Sequence, residues 1–331
     1  MPSLTPRENY LRTLRHEENE YVPIVALDSV RAGGPASTDW GTPENGRVDG
    51  FGVHWVSSDS AVGGLIPEPG RFILTDVTRW KKDITIPNIA DLDWRKLADN
   101  NPATQNDREH KTAGFAAICG PWERLAALMG FEEAMIAMIE EPEAVYELLG
   151  AITDYKIALA EKVATYFKAD TFTHFDDIAT ERRLFMHPDT YRQLIKPHHK
   201  RLNDAVRNFG MIPIQHTCGK AELCVEDYIE TGAEAWNTVQ PTNDIKTLLD
   251  KYGDRFCFDG GYDSTGKPGR STATIEEITA EVERCFREYG DKKGFIFSGF
   301  VLASTDDTKA AEKAAAILET ANRLRFAGKD S

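Results

Sequence analysis

The sequence predicts a (β/α)8 TIM barrel, an α/β fold, with an N-terminal helical and loop extension covering one mouth. Three observations carry this. From about residue 110 onward, short apolar runs alternate with long helical patterns, six strand–helix units in a row. Two runs upstream, YVPIVALDS (21–29) and DGFGVHWV (49–56), bring the count to seven or eight. No G-x-G-x-x-G follows the first strand, so an open dinucleotide-binding sheet loses its best signal. Alternating strands and helices imply a parallel sheet buried on both faces.

In chain order, MPSLTPRENYLRTLRHEENE reads as an amphipathic helix without the apolar core of an export signal. Residues 30–110 are rich in Gly and Pro, hold Trp40, Trp55, Trp80 and Trp94, and show little periodicity. They read as an irregular excursion forming a lid or rim. FAAICG (115–120) is a strand, followed by a helical stretch over about 122–168. DTFTHFDD (170–177) precedes a helix around 189–208. MIPIQHTCG (211–219), AEAWNTVQP (233–241), RFCFDGGYD (255–263) and GFIFSG (294–299) are each followed by a helical segment. Without an internal repeat or low-complexity tract, residues 1–331 read as one domain.

The 331 residues are 41% hydrophobic and 28% charged, enough for a large core without staples. Lys and Arg number 39 against 53 Asp and Glu, a net of −14. That balance argues against nucleic acid or an anionic membrane surface as the main partner and favours a small substrate. No apolar run reaches the roughly 18 residues of a membrane helix. Five cysteines, an odd and sparse number, imply free thiols and a cytoplasmic setting.

Barrel chemistry is built at the C-terminal strand ends, and polar residues cluster there. The third strand ends in Gly120-Pro121-Trp122-Glu123-Arg124 and the fourth in His174-Phe175-Asp176-Asp177. The fifth ends in Gln215-His216-Thr217-Cys218-Gly219, the sixth in Asn237-Thr238-Val239-Gln240, and the seventh in Asp259-Gly260-Gly261-Tyr262-Asp263. His216 and Cys218, two apart on a strand, point to one side and offer the nitrogen and sulfur that Zn2+ prefers. The spacing alone suits still better a buried thiol beside a histidine bonded to a backbone carbonyl. Of Asp176 and Asp177 one faces the mouth, where it can bind a cation, orient an imidazole or transfer a proton. The other caps the next helix or pairs with Arg182 or Arg183. Trp40, Trp55 and Trp122 wall an apolar cavity or fill the core. His54, Glu123, His174, Asn237, Gln240 and Asp263 complete the candidate substrate-binding set. His198 and His199 read as surface residues.

At these residues the chain resembles the uroporphyrinogen decarboxylase superfamily. The resemblance runs through NYLRTLRHEENEYVPI, GFEEAMIAMIEEPEAVYELL, DDIATERRLFMHPDTYRQLIKPHHKRL, HTCGK and AWNTVQPTNDIKTLLDKYGDRFCFDGGYD to the closing strand and helix. It implies a barrel with an N-terminal extension and one of two chemistries. One is cofactor-free decarboxylation of a tetrapyrrole, which uses an arginine-rich stretch after the first strand; LDSVRAGGPAS holds only Arg31. The other is methyl transfer between a small methylated compound, a corrinoid protein or a thiol, usually with zinc. Those methyltransferases show His-x-Cys at the fifth strand end, matched by His216 and Cys218. Their third ligand is commonly a cysteine near the last strand, where this chain has Phe297-Ser298-Gly299-Phe300. Cys257, or an oxygen of Asp176 or Asp177, is the substitute. Where some members carry a glutamate after the sixth strand, this chain has Gln240.

The resemblance thus implies a corrinoid-dependent methyltransferase of the O-demethylase kind. It would move a methyl group from an aryl methyl ether to the Co(I) corrinoid of a partner protein. His216, Asp176 and Asp177 are the expected catalytic groups. Zn2+ on His216 and Cys218, or a protonated His or Asp, would neutralise the leaving oxygen. The alternatives are a decarboxylase of a tetrapyrrole or aromatic acid that depends on Arg31, and a barrel that binds ligand or corrinoid protein without turnover. The 30–110 excursion would serve as docking rim or lid and as part of a homodimer contact.

Overall fold

Seven parallel strands form one curled sheet in a computed structural model that describes residues 2–33, 39, 47–58, 64–105, 107–302 and 307–326. The strands are β1 (Ser29–Gly33), β4 (Thr112–Ala117), β5 (Thr171–Phe175), β6 (Ile212–His216), β7 (Ala235–Val239), β8 (Cys257–Gly261) and β9 (Phe295–Ser298), neighbours in that order. β2 (Trp55–Ser57) and β3 (Leu65–Pro67) form a separate antiparallel hairpin. The sheet's two edges meet at one bridge, Ile24 to Phe297, where the Phe297 N–H donates to the Pro23 carbonyl at 2.9 Å.

The expected eight-stranded barrel is therefore a seven-stranded curled sheet among the described residues. The run 21–29 does not form one strand. A helical turn at Val25–Asp28 interrupts it, because the buried Asp28 carboxylate accepts from the Ile24 N–H at 2.8 Å and pairs with Arg325 at 2.8 Å. The run 49–56 leaves the sheet because the Asp49 carboxylate gathers the N–H groups of Phe51 and Val53 and the Trp55 indole. The expected helix 122–168 is broken into α2 (Pro121–Met129), α3 (Phe131–Glu140) and α4 (Pro142–Lys162), followed by a π-turn over Val163–Phe167. Gly130, at φ 89°, and Pro142 make the breaks.

α1 (Pro6–Leu14) begins in a capping box, Thr5 with Glu8, and closes the N-terminal end of the sheet. Its Tyr10 and Leu14 pack with Ile214, Ala235, Cys257 and Ile296, all inward-facing. The alternate residues of those strands, Trp236, Phe258, Phe295 and Phe297, join the larger core beneath the outer helices. Those helices are α2 to α4, α5 (Lys196–Asn208), α6 (Val225–Thr231), α7 (Ile245–Tyr252), α8 (Ile275–Tyr289) and α9 (Ala310–Leu324). Much of the 64–105 segment packs on this layer: Leu74, Val77 and Trp94 are buried, and Trp94 meets Phe167 edge-on. No described helix is long and apolar enough to cross a membrane.

His198 and His199 are buried on α5, not on the surface. Their helix presents this face to α4, and the His198 ring lies 4.4 Å from that of Tyr146. Burial, then the charge of Arg201, pushes His198 down to about 4. Its folded value lies below its unfolded one, so its neutral form stabilises the fold above about pH 6.5, and this is lost as the pH falls toward 4. Denaturant unfolding at pH 7 and pH 5 should show His198→Gln losing about 1 kcal/mol less stability on acidification than the parent. An unchanged pH dependence would remove His198 from the account.

Candidate active site

The parallel register sets a row of side chains across the open end. Phe175, His216, Asn237 and Asp259 are successive ladder partners on β5 to β8, so all four face inward. They stand one pleat above the floor residues Ile214, Ala235 and Cys257. Phe175 stacks on the His216 ring at 3.8 Å. His216 Nδ1 lies 2.6 Å from Asn237 Oδ1, and Asn237 Nδ2 donates to Asp259 Oδ2 at 2.7 Å. Asp259 Oδ1 accepts from the Ser298 hydroxyl at 2.5 Å. Because Asp259 takes the amide N–H, Asn237 presents its oxygen to His216. Nδ1 therefore carries the proton, and the Nε2 lone pair is left facing the mouth.

β6 ends at His216, so Cys218 lies in the turn beyond it and does not reach His216 by strand alternation. The turn brings it back. Gly219 adopts φ 85°, and a Cβ there would sit 2.4 Å from the Thr180 carbonyl oxygen. The Gly219 N–H donates to Gln240 Oε1 at 2.6 Å, and the Cys218 N–H to Asp177 Oδ1 at 2.8 Å. Cys218 Sγ then lies 3.5 Å from His216 Nε2, which is 3.8 Å from Asp177 Oδ1.

Asp177, His216 and Cys218 present oxygen, nitrogen and sulfur atoms all within 4.8 Å of one another. Bonds of about 2.0–2.3 Å to a tetrahedral zinc would put a nitrogen and a sulfur ligand roughly 3.5 Å apart, as His216 and Cys218 are, and a nitrogen and an oxygen roughly 3.3 Å apart, so Asp177 would have to close in by about half an ångström. Burial, with Asp177 and Glu123 beside it, holds the Cys218 thiol well above its ordinary value. Burial and the carboxylates of Asp177 and Asp176 push Glu123 up to about 8. Acidic groups gathered at one end of the cavity suit a divalent cation, and three protein donors leave one coordination position open. Asn237 and Asp259 would fix the imidazole behind it.

Asp176, expected as a catalytic group, faces away from the mouth. Its carboxylate accepts from the Trp122 and Glu123 N–H groups at the start of α2, at 3.3 and 2.9 Å, and from His199 Nε2 at 2.7 Å. It caps the helix after β4, and its imidazole partner comes from α5. His174, on the opposite pleat from Phe175, turns to the helix layer and bonds Asn203 at 2.9 Å. Cys257 lies on the floor, its thiol donating to the Thr13 carbonyl at 3.1 Å, a pleat too deep to join His216. Asp263 is spent in its own loop, accepting from the Gly266 N–H at 2.8 Å. His54 pairs with Glu68 at 2.9 Å beside the hairpin. Trp40 lies outside the described residues. Arg31 lines a separate cavity of about 310 Å³ with Ser298, at the seam between β1 and β9.

Trp55, Trp122 and Glu123 do line one cavity, of about 580 Å³, together with Asp177. Its walls are otherwise apolar, with Phe72, Phe131 and Phe185. Asp177 thus belongs both to the donor cluster and to the cavity. Sequence reasoning missed Phe175, Asp259 and Ser298. The signal for Asp259 was present: Cys257-x-Asp259 repeats the apolar-x-polar pattern of Ile214-x-His216 and Ala235-x-Asn237.

Residues 101–301, well over half of the chain, match the uroporphyrinogen decarboxylase (URO-D) family. The chain belongs to that family. Its fold is similar to that of a methyltransferase from Methanosarcina mazei, with TM-score 0.68 and 15% identity over 97% of this chain and 99% of that one. Xylanase B from Clostridium stercorarium F9 overlaps at TM-score 0.40 and 11% identity, over 66% and 78% of the two chains. No curated protein matches the sequence. The family match spans β4 to β9, the strands that carry the row and the donor cluster of this URO-D member.

Two aspartates side by side should separate cleanly by experiment. Elemental analysis of purified protein should find about one zinc per chain, lost in Cys218→Ser and His216→Ala and reduced in Asp177→Asn. Asp176→Ala should keep the metal but lose about 2–3 kcal/mol of stability to denaturant, since it uncaps α2 and strands His199. Zinc retained in Cys218→Ser, or absent from the parent, would overturn the ligand set.

Proposed function

We propose that this URO-D family member is a methyltransferase that takes the methyl group of an aryl methyl ether and delivers it to the Co(I) corrinoid of a partner protein. The observation that carries this reading is the junction at Asp177. An aromatic-walled cavity ends against a carboxylate that also belongs to a His–Cys–Asp donor set.

The bond that breaks joins the methyl carbon to the ether oxygen, and the bond that forms joins it to cobalt. The two bonding electrons leave with the oxygen, so the aryloxide has to be neutralised as it departs. A zinc ion held by His216, Cys218 and Asp177 would supply that Lewis acidity. Asn237, held by Asp259, which in turn accepts from Ser298, keeps the imidazole nitrogen aimed at the donor cluster. Gln240 pins Gly219, and so the turn bearing Cys218. The rings of Trp122, Phe131 and Phe185, inclined steeply to one another, supply edges and faces for an aromatic donor, and a corrinoid on its own protein would approach from the mouth.

Decarboxylation of a polycarboxylate finds less support. Such a substrate calls for a basic cavity, whereas the described lining of the large cavity holds Glu123 and Asp177 and neither Lys nor Arg.

Purified protein mixed with chemically reduced cobalamin and 2-methoxyphenol should convert Co(I) to methylcobalamin and release the diphenol. His216→Ala and Cys218→Ser should slow this by roughly 100-fold or more. Methyl transfer unaffected by both substitutions, or release of CO2 from an aromatic acid without corrinoid, would defeat the proposal.

A further inference from the structure

We infer that the cavity of about 580 Å³ is built for a methoxylated donor of two aromatic rings joined end to end, not for a single ring. The inference deepens the methyl-transfer reading and rests on it for the methoxyl group. The length of the cavity is independent of that reading.

The cavity runs along one face of α2. Glu123, Ala126, Ala127 and Gly130 line it, at positions i, i+3, i+4 and i+7. The lined face therefore extends over two turns, about 10 Å along the helix axis. At the near end Asp177, next in sequence to the aspartate that caps α2, joins Glu123. At the far end the chain before α2 is tied to its last turn. The Ile73 and Leu74 N–H groups both donate to the Leu128 carbonyl at 3.1 Å. The Phe72 ring lies so close over Gly130 that a Cβ there would sit 2.8 Å from it. Between Glu123 and Gly130 this face offers only the methyl groups of Ala126 and Ala127, so nothing on α2 divides the two ends.

Length then decides the occupant. The outermost carbons of methoxybenzene lie about 5 Å apart, and those of 4-methoxybiphenyl about 9 Å. With its methyl group at Asp177, a single ring meets Trp122 and stops short of Phe72. A second ring in line with the first reaches Phe72 and lies along Ala126. Exposure points the same way. Trp122 is 1% exposed, whereas Phe131 is 51% and Phe72 36% exposed. A second ring would take that apolar surface out of water, and one ring would leave it wet. A cavity of this volume also matches ligands well above the eight heavy atoms of methoxybenzene.

Calorimetric titration of the purified protein with three compounds tests this without requiring turnover. They are 4-methoxyphenol, the linear 4'-methoxybiphenyl-4-ol and its branched isomer 4-methoxy-2-phenylphenol. The linear compound should bind about 30-fold or more tighter than 4-methoxyphenol. It should also bind about 10-fold or more tighter than the branched isomer, which has the same apolar content and the wrong shape. Ala126→Leu, which narrows the middle of the cavity, and Phe72→Ala, which removes the far wall, should each cut the linear-to-single-ring affinity ratio by about 5-fold or more. Circular dichroism checks that both variants keep the fold. Equal affinity for the linear and branched isomers, no gain over the single ring, or no binding of any of the three would overturn the inference. The expected order without methyl transfer to Co(I) from any of them would sink the proposed function and leave the cavity's preference standing. Methyl transfer from 4-methoxyphenol with no preference for the linear compound would do the reverse.

Discussion

The two-residue alternation of the parallel strands is the constraint on which the site depends. On β6, β7 and β8 a floor residue is followed two positions later by a row residue: Ile214 and His216, Ala235 and Asn237, Cys257 and Asp259. A one-residue slip in any of these strands would turn its polar group into the helix layer and its large outer ring, such as Trp236 or Phe258, into the interior. The apolar penalty for that slip is large, because those rings fill the core under the helices. The same force that folds the sheet therefore aims the imidazole. α1 completes the arrangement: Tyr10 and Leu14 seal the floor, which leaves the opposite end as the place for chemistry.

Above the floor, polarity is organised by dividing two adjacent carboxylates between two tasks. Asp176 satisfies the free N–H groups at the start of α2 and holds His199, an interaction buried on all sides. Asp177 is left to the mouth, where it supports the Cys218 backbone. Because Asp176 is committed to the helix, α2 cannot shift without breaking a charge-assisted cap. α2 in turn carries Trp122 and Glu123 to the cavity. The structural aspartate thus positions the wall that the other aspartate closes.

The sequence made most of this legible where periodicity governs. The strand segments from 112 onward and the helices after them follow from alternation, which also puts His216 and Asn237 at strand ends facing the mouth, whereas Cys218 reaches His216 through the turn at Gly219 and not by alternation. It was less legible where one side chain overrides the local pattern. Asp28 bends the first run into a helical turn, and Asp49 folds the second into a loop, because each carboxylate captures backbone N–H groups that a strand would have paired. His174 was misplaced by one pleat, an error of parity. Asp176 and Asp177 could not be told apart because parity past a strand end depends on the turn. Asp259 went unused because its meaning lies in its neighbours across the sheet, which a linear reading does not display.

The excursion's contribution to the site rests on ionic contacts that burial makes costly. Arg124, Asp49, Asp39 and Lys156 form a connected set with almost no exposure, and the Trp55 indole donates to Asp49 at 2.9 Å. Replacing such a set with apolar groups is often neutral or favourable for stability, so stability alone does not explain it. Its effect is geometric. An apolar contact would let the hairpin slide over α2, whereas a guanidinium shared between a carboxylate and a backbone carbonyl admits few arrangements. Trp55 is thereby held in one place on the cavity lining that it shares with Trp122. The wall that would grip a donor is as fixed as the imidazole row, although it belongs to a segment with little regular structure of its own. In this member of the URO-D family, hydrophobic parity sets the chemical end of the site, and a buried ionic clamp sets the end that faces the ligand.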